Sequence, residues 1–330
     1  MTATNSTPFP TGTIAGYPRI GAHRELKKLL ESYWKGAIDR AAFESGATEL
    51  RSDNRHHLVD LGLGKSDSSI PSDSSYYDHM ADTTLMLGAI PHRFESRRAA
   101  DGSLDLDAYF AIARGDADNQ PLEMTKWFDT NYHYLVPEIG PQTPISLSSR
   151  RVVELFVEAK EDGFVTRPTL VGPVTYLALS KASDSAPDDF DPLSRLDDVV
   201  QVYAEILTEL AAAGAEWVQL DESAVVSENL GIDPEKIHAA LRLAYISLTR
   251  VSTPRLFVLT SYGTIPDNAL NLLASLGIDA IGFDLVKGEV PHATVSLAET
   301  TLVAGVIDGH NIWRGDLGAA FEKLEALSTL

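Results

Sequence analysis

The chain has 330 residues, 44% of them apolar and 22% charged, enough for one large α/β barrel or two ordinary domains with a sizeable core. A formal net charge of -20 disfavours phosphate backbones as partners, and no apolar run approaches the ~18 residues a membrane span needs. Neither nucleic acid nor membrane is therefore an expected partner; the lack of cysteine removes disulfides, thiolate zinc sites, iron–sulfur clusters and cysteine nucleophiles together, and a cytoplasmic location fits.

Met1–Gly12 is polar, with no basic start and no apolar stretch, and reads as a disordered leader rather than a secretion signal. From Thr13 onward, short apolar runs alternate with longer helical patterns, which predicts a parallel α/β architecture. The predicted strands are Thr13–Gly16, Ser69–Asp73, Tyr132–Val136, Thr169–Val171, Trp217–Leu220, Leu256–Leu259, Ala280–Phe283 and Leu302–Val306. That number predicts one (β/α)8 TIM-type barrel over residues 13–330, with loop insertions. Leu26, Leu29, Leu30 and Tyr33 repeat at helical spacing ahead of the second strand. Gly64–Ser75 and Ser183–Pro192 are rich in Ser, Asp, Gly or Pro and are expected to be exposed insertions. Val199, Val202, Tyr203, Ile206 and Leu210 form an apolar helical stripe that Gly214 ends. Pro266 opens a helix carrying Leu270, Leu273 and Leu276, and Gly277 closes it.

In a parallel barrel, chemistry gathers at the carboxyl ends of the strands. Several predicted strands end in polar residues: Asp221 and Glu222, then Thr260, Ser261 and Tyr262, then Asp284, then Asp308. Such a rim could hold a cation, bind an amine or do acid–base work. Equally, Asp221, Asp284 and Asp308 could cap the helices that follow or fix loops. Asp221 and Glu222 are adjacent on an extended strand and point opposite ways, so they are no ready-made dyad. Arg19, Arg24, Lys27 and Lys28 form the densest basic cluster, with Arg24 and Lys27 on one helix face. Lys126 stands in a second polar and aromatic run, Glu123–Tyr134. These cations could hold an acidic ligand, or form a solvated face with a Lys27–Glu31 pair. His56 and Asp60 have ligand-like spacing, a weak metal signal by itself. His133 suits a structural hydrogen bond, and Trp127, Phe128, Tyr132 and Tyr134 suit a core.

The run Gly16-Tyr-Pro-Arg-Ile-Gly21 with Arg24-Glu-Leu-Lys-Lys28 and Glu31-Ser-Tyr-Trp34 resembles the opening of cobalamin-independent methionine synthases. Further similar segments follow in order: Tyr76-Tyr-Asp78 with Asp82-Thr83, the run from Glu123 to Glu138, Arg167-Pro with Val171-Gly-Pro173, Glu216–Glu222, and Asp308-Gly with Asn311–Arg314. The resemblance covers nearly the whole chain from about Thr13 and is to the amino-terminal barrel of that two-barrel family alone. It implies that this chain is the folate-binding half of a methyltransferase moving a methyl group from 5-methyltetrahydropteroyltri-L-glutamate to L-homocysteine. The implied cofactor of the complete enzyme is zinc, not cobalamin. The zinc, its cysteine ligands and the homocysteine site lie in the carboxyl-terminal barrel, which becomes the implied partner, so this chain carries no catalytic or metal-ligating residue and is inactive alone. The resemblance further assigns Arg24, Glu25, Leu26, Lys27 and Lys126 to the substrate's polyglutamate tail. His23 stands where family members usually carry another basic residue, and Ser223 where Pro commonly follows Asp-Glu. Two rival expectations are a self-sufficient barrel enzyme using Asp221, Glu222, Asp284 or Asp308 around a divalent cation, and a non-catalytic folylpolyglutamate-binding module.

Overall fold

The computed structural model describes residues 8–251 and 253–328. In chain order its helices and strands are α1 (Glu25–Trp34), α2 (Arg40–Asp60), β1 (Pro71–Ser72), α3 (His79–Met86), α4 (Leu106–Arg114), β2 (Met124–Lys126), β3 (His133–Leu135), β4 (Glu138–Ile139), α5 (Arg151–Glu161), β5 (Arg167–Val171), α6 (Pro173–Ala178), β6 (Lys181–Ala182), α7 (Leu196–Ala213), β7 (Trp217–Asp221), α8 (Pro234–Leu248), β8 (Arg255–Thr260), α9 (Asp267–Ser275), β9 (Ala280–Asp284), β10 (Thr301–Gly305) and α10 (Leu317–Leu327).

Six strands form one parallel sheet in the order β1-β5-β7-β8-β9-β10. The sheet's register explains its two faces. Leu170, Leu220, Val258, Ile281 and Leu302 lie side by side across five strands. They face the main core, where α5, α7, α8 and α9 press Phe156, Ile206, Leu241 and Leu270 against them. One residue along, Thr169, Gln219, Phe257 and Ala280 form the next row. With Trp217, Leu259 and Phe9, members of this row fill the opposite, inner face. Period-two alternation thus separates an aliphatic outer layer from an interior of aromatic and polar groups.

The predicted helices form where expected. α7 opens with Asp197 and Asp198 beside its N-terminal dipole, buries Val199, Val202, Tyr203, Ile206 and Leu210, and stops at Gly214 with φ 95°. α9 begins after Pro266 and ends before Gly277. Leu26 and Leu30 of α1 are buried in a second core shared with α2, α3 and α4.

Three expectations are corrected. Tyr132–Val136 does not join the barrel sheet: β3 pairs antiparallel with β2, Lys126 opposite His133, as a separate hairpin. Thr13–Gly16 forms no ladder, because side chains bind its backbone: Arg167 reaches Ile14 O and Gln219 reaches Ala15 O. Among the described residues the hydrogen-bonded sheet therefore has six strands, and its ladder does not close into a ring. Gly64–Ser75 is not an exposed loop throughout, since Ser68, Ser69, Ile70 and Pro71 are buried where the chain enters β1 beside β5. Of the expected leader, residues 1–7 lie outside the described residues, while Phe9 packs edge-on against Trp217 and Phe257, at 4.8 and 5.0 Å. Among the described residues no helix is long and apolar enough to cross a membrane.

Candidate functional site

The residues expected to hold an acidic tail sit on two neighbouring features. Arg24 is the first, at the start of α1 with a left-handed backbone (φ 62°) and an exposed side chain. Glu25 turns back to accept the His23 N–H at 2.9 Å, and these backbone hydrogen bonds hold its carboxyl below the usual range. Leu26 is buried and serves packing. Lys27 makes the expected solvated pair with Glu31 at 3.7 Å. Lys126 is exposed at the end of β2. Arg19 links the two features: it donates to Tyr77 O and stands beside the hydroxyl of Tyr132, in the loop joining β2 to β3.

The rim carboxylates do not converge. Glu222 is fully buried and accepts from Val174 N (3.2 Å), Thr175 N (2.8 Å), Thr175 Oγ1 (2.7 Å) and Tyr245 O–H (3.1 Å), which fixes the start of α6. The close approach requires Gly172, where a Cβ would lie 2.1 Å from Glu222 Cδ. Asp284 accepts from the N–H groups of Tyr262, Val286 and Lys287, and so takes the loop-fixing role. Asp308 does the same with His310 N and Asn311 Nδ2 at an exposed turn. Only Asp221, held by Gln219 Nε2, faces a cavity. His56 donates to Ser52 O rather than pairing with Asp60, and His133 donates to Asn131 O. Among the described residues no three His, Asp or Glu side chains gather as a metal cage.

A cavity of about 240 Å³ opens at the carboxyl ends of β1, β5, β7 and β8. Asp73, His79, Asp82, Arg151 and Asp221 line it, with Met86, Val152, Leu155 and Leu259 as its apolar wall and Trp127 and Tyr262 across it. Desolvation raises the carboxyls of Asp73 and Asp221 to about 6 and about 7, raises that of Asp82, and lowers His79 to about 4. The imidazole is therefore neutral at pH 7. Tyr262 has φ 83°, costly for a bulky residue. Asp284 holds its backbone, Trp127 Nε1 donates to its hydroxyl at 3.2 Å, and Phe128 stacks on its ring at 5.4 Å. Of this set, sequence reasoning weighed Asp221 and Tyr262 as strand-end residues and missed Asp73, His79, Asp82 and Arg151 as site residues. The available signal was that Asp73 ends a predicted strand.

A parallel sheet wrapped by helices on one face, with a polar cavity at the carboxyl strand ends, places the chain among α/β domains of the barrel type, here with an unclosed ladder among the described residues. The family model described as the N-terminal domain of cobalamin-independent synthase matches residues 11–330, and the chain belongs to that family. It is 45% identical over 333 residues to the 5-methyltetrahydropteroyltriglutamate–homocysteine methyltransferase of Streptomyces coelicolor, covering 99% of this chain and 42% of that protein. Against the Rhodococcus jostii protein of the same name it is 47% identical, covering 96% and 40%. The chain thus spans less than half the length of these curated relatives. In fold it is similar to a Listeria monocytogenes structure assigned to vitamin-B12-independent methionine synthase (TM-score 0.63, 15% identity, 97% of this chain and 86% of that one). It is also similar to a B12-independent methionine synthase from Shewanella sp. W3-18-1 (TM-score 0.57, 15% identity, 88% and 79%).

Proposed function

We propose that this chain is the folate-polyglutamate-binding half of a methyltransferase that moves a methyl group from 5-methyltetrahydropteroyltri-L-glutamate to L-homocysteine, giving methionine. The observation that carries this is identity of 45% to a methyltransferase of that name along 99% of the chain. Arg24, Lys27 and Lys126, all exposed, hold the tail carboxylates against a net acidic background, Glu25 shapes the turn that presents Arg24, and Leu26 anchors α1. The catalytic step belongs to a carboxyl-terminal barrel outside residues 1–330. Zinc bound there would favour the homocysteine thiolate. With no cysteine and no converging ligand cluster among the described residues, this chain does not fit such a centre. Exposed Ile307, Ile312 (94%), Trp313 (78%), Leu317 and Phe321 support docking of that partner. The placement of the whole assembly in the cytoplasm is part of the same reading, as are the bounds of the barrel domain at residues 13–330.

Calorimetry with the mono- and triglutamate forms of methyltetrahydrofolate is the test. Affinity rising with glutamate number and falling with salt is expected, and equal affinity for both forms would remove the tail-binding role. Methyl transfer by the isolated chain would refute the division between two barrels.

A further inference from the structure

The cavity at the barrel mouth takes no part in holding the tail, yet it is furnished with unused polar groups. Three side-chain atoms on its lining are enclosed and lack any hydrogen-bond partner: His79 Nε2, Asp82 Oδ1 and Arg151 Nε. Buried polar groups are nearly always satisfied, so three orphans around one space point to something that fills it. The Arg151 guanidinium lies 3.7 Å over the Tyr76 ring and makes one long contact, 3.5 Å to Ser74 O. Asp82 lies in the field of Arg151 and beside the hydroxyls of Ser75 and Tyr109. One cationic and one anionic group thus stand near each other, each with free hydrogen-bonding capacity.

We propose that this cavity binds a small α-amino acid with an uncharged aliphatic side chain, its ammonium on Asp82 and its carboxylate on Arg151. A charge-assisted bond at each pole would satisfy two of the orphans at once. Asp73, and Asp221 in its ionised fraction, add negative charge on the cavity wall, which favours the ammonium and disfavours a purely anionic ligand such as a folate tail. Met86, Val152, Leu155 and Leu259 supply an apolar surface for the side chain. The volume, about 240 Å³, falls below the roughly 300–1,000 Å³ of sites for drug-sized ligands and suits a single amino acid. A metal ion is the wrong occupant, because no three ligating groups converge among the described residues. This site goes beyond the tail-binding role and does not depend on it.

The test is calorimetry on the 330-residue protein with L-norleucine, pentylamine and hexanoate, the last two each lacking one pole. Norleucine is expected to bind with Kd of about 1 mM or tighter, and each analogue at least about ten-fold more weakly. Asp82→Asn and Arg151→Gln should each weaken norleucine by about ten-fold or more. Should either variant fail to fold, the analogue comparison on the unaltered protein still decides. Lys126→Ala should leave norleucine affinity unchanged, which separates failure here from failure of tail binding. No norleucine binding at about 10 mM, or pentylamine binding as tightly as norleucine, would overturn the proposal.

Discussion

Arg167→Met should destabilise the protein severely, because this one side chain replaces a missing strand ladder. Its guanidinium is fully buried and donates four hydrogen bonds: to Gln219 Oε1 (3.0 Å), Thr13 Oγ1 (2.9 Å), Ser68 O (2.7 Å) and Ile14 O (2.8 Å). Phe9 and Phe257 flank it at 5.6 and 5.4 Å. Burial lowers its pKa to about 10, so it remains charged at pH 7. Methionine fills similar space but leaves the Ser68 and Ile14 carbonyls and the Gln219 amide without a donor, at roughly 1–3 kcal/mol each. Relief of the buried charge offsets part of this, leaving a loss of about 4 kcal/mol. At ~2 °C per kcal/mol for a chain of this size, the melting temperature should fall by roughly 8 °C. Arg167→Lys keeps the charge without the planar fork and should fall in between. Thermal unfolding followed by circular dichroism measures both. A methionine variant melting within about 2 °C of the wild type would show that the Thr13–Ala15 segment is held by something other than Arg167.

Lys27→Ala and Lys126→Ala should each weaken triglutamate binding by about five- to ten-fold at low salt while leaving the melting temperature nearly unchanged, since both side chains are exposed; calorimetry paired with thermal melts checks this. Glu222→Ala strips the acceptor from four buried donors and should cost about 3–5 kcal/mol in urea unfolding, a loss of under 1 kcal/mol being incompatible with its fixing the start of α6. Asp221 has its carboxyl raised by burial from 3.8 to about 7. The folded state therefore holds this proton more tightly than the unfolded state, and the resulting stabilisation is complete below 3.8 and lost as pH passes about 7. Asp221→Asn should accordingly melt higher than the wild type at pH 8 and lose that advantage near pH 4; a difference independent of pH would contradict the assignment.

The outer half of the fold was legible because it rests on local periodicity. The α7 stripe from Val199 to Leu210 with its Gly214 stop, the α9 segment between Pro266 and Gly277, and the strands β5, β7, β8, β9 and β10 need only neighbours a few residues away to declare themselves. The basic cluster at Arg24 and Lys27 and the solvated Lys27–Glu31 pair were equally visible. Tyr132–Val136 and Thr13–Gly16 were not, because an extended segment carries no mark of its hydrogen-bonding partner: one paired with Met124–Lys126 and the other was taken up by side chains 153 and 204 residues away. The same reason hid the cavity. Asp73, His79, Asp82, Arg151 and Asp221 come from four separate elements or loops, and only the parallel packing of β1, β5 and β7 brings them to one mouth. Whether a strand-end carboxylate fixes a loop, starts a helix or faces a cavity depends on which donors surround it, and those donors are distant in the chain. Sequence settled which residues could form helices and strands; the long-range approach of side chains settled what each polar residue does.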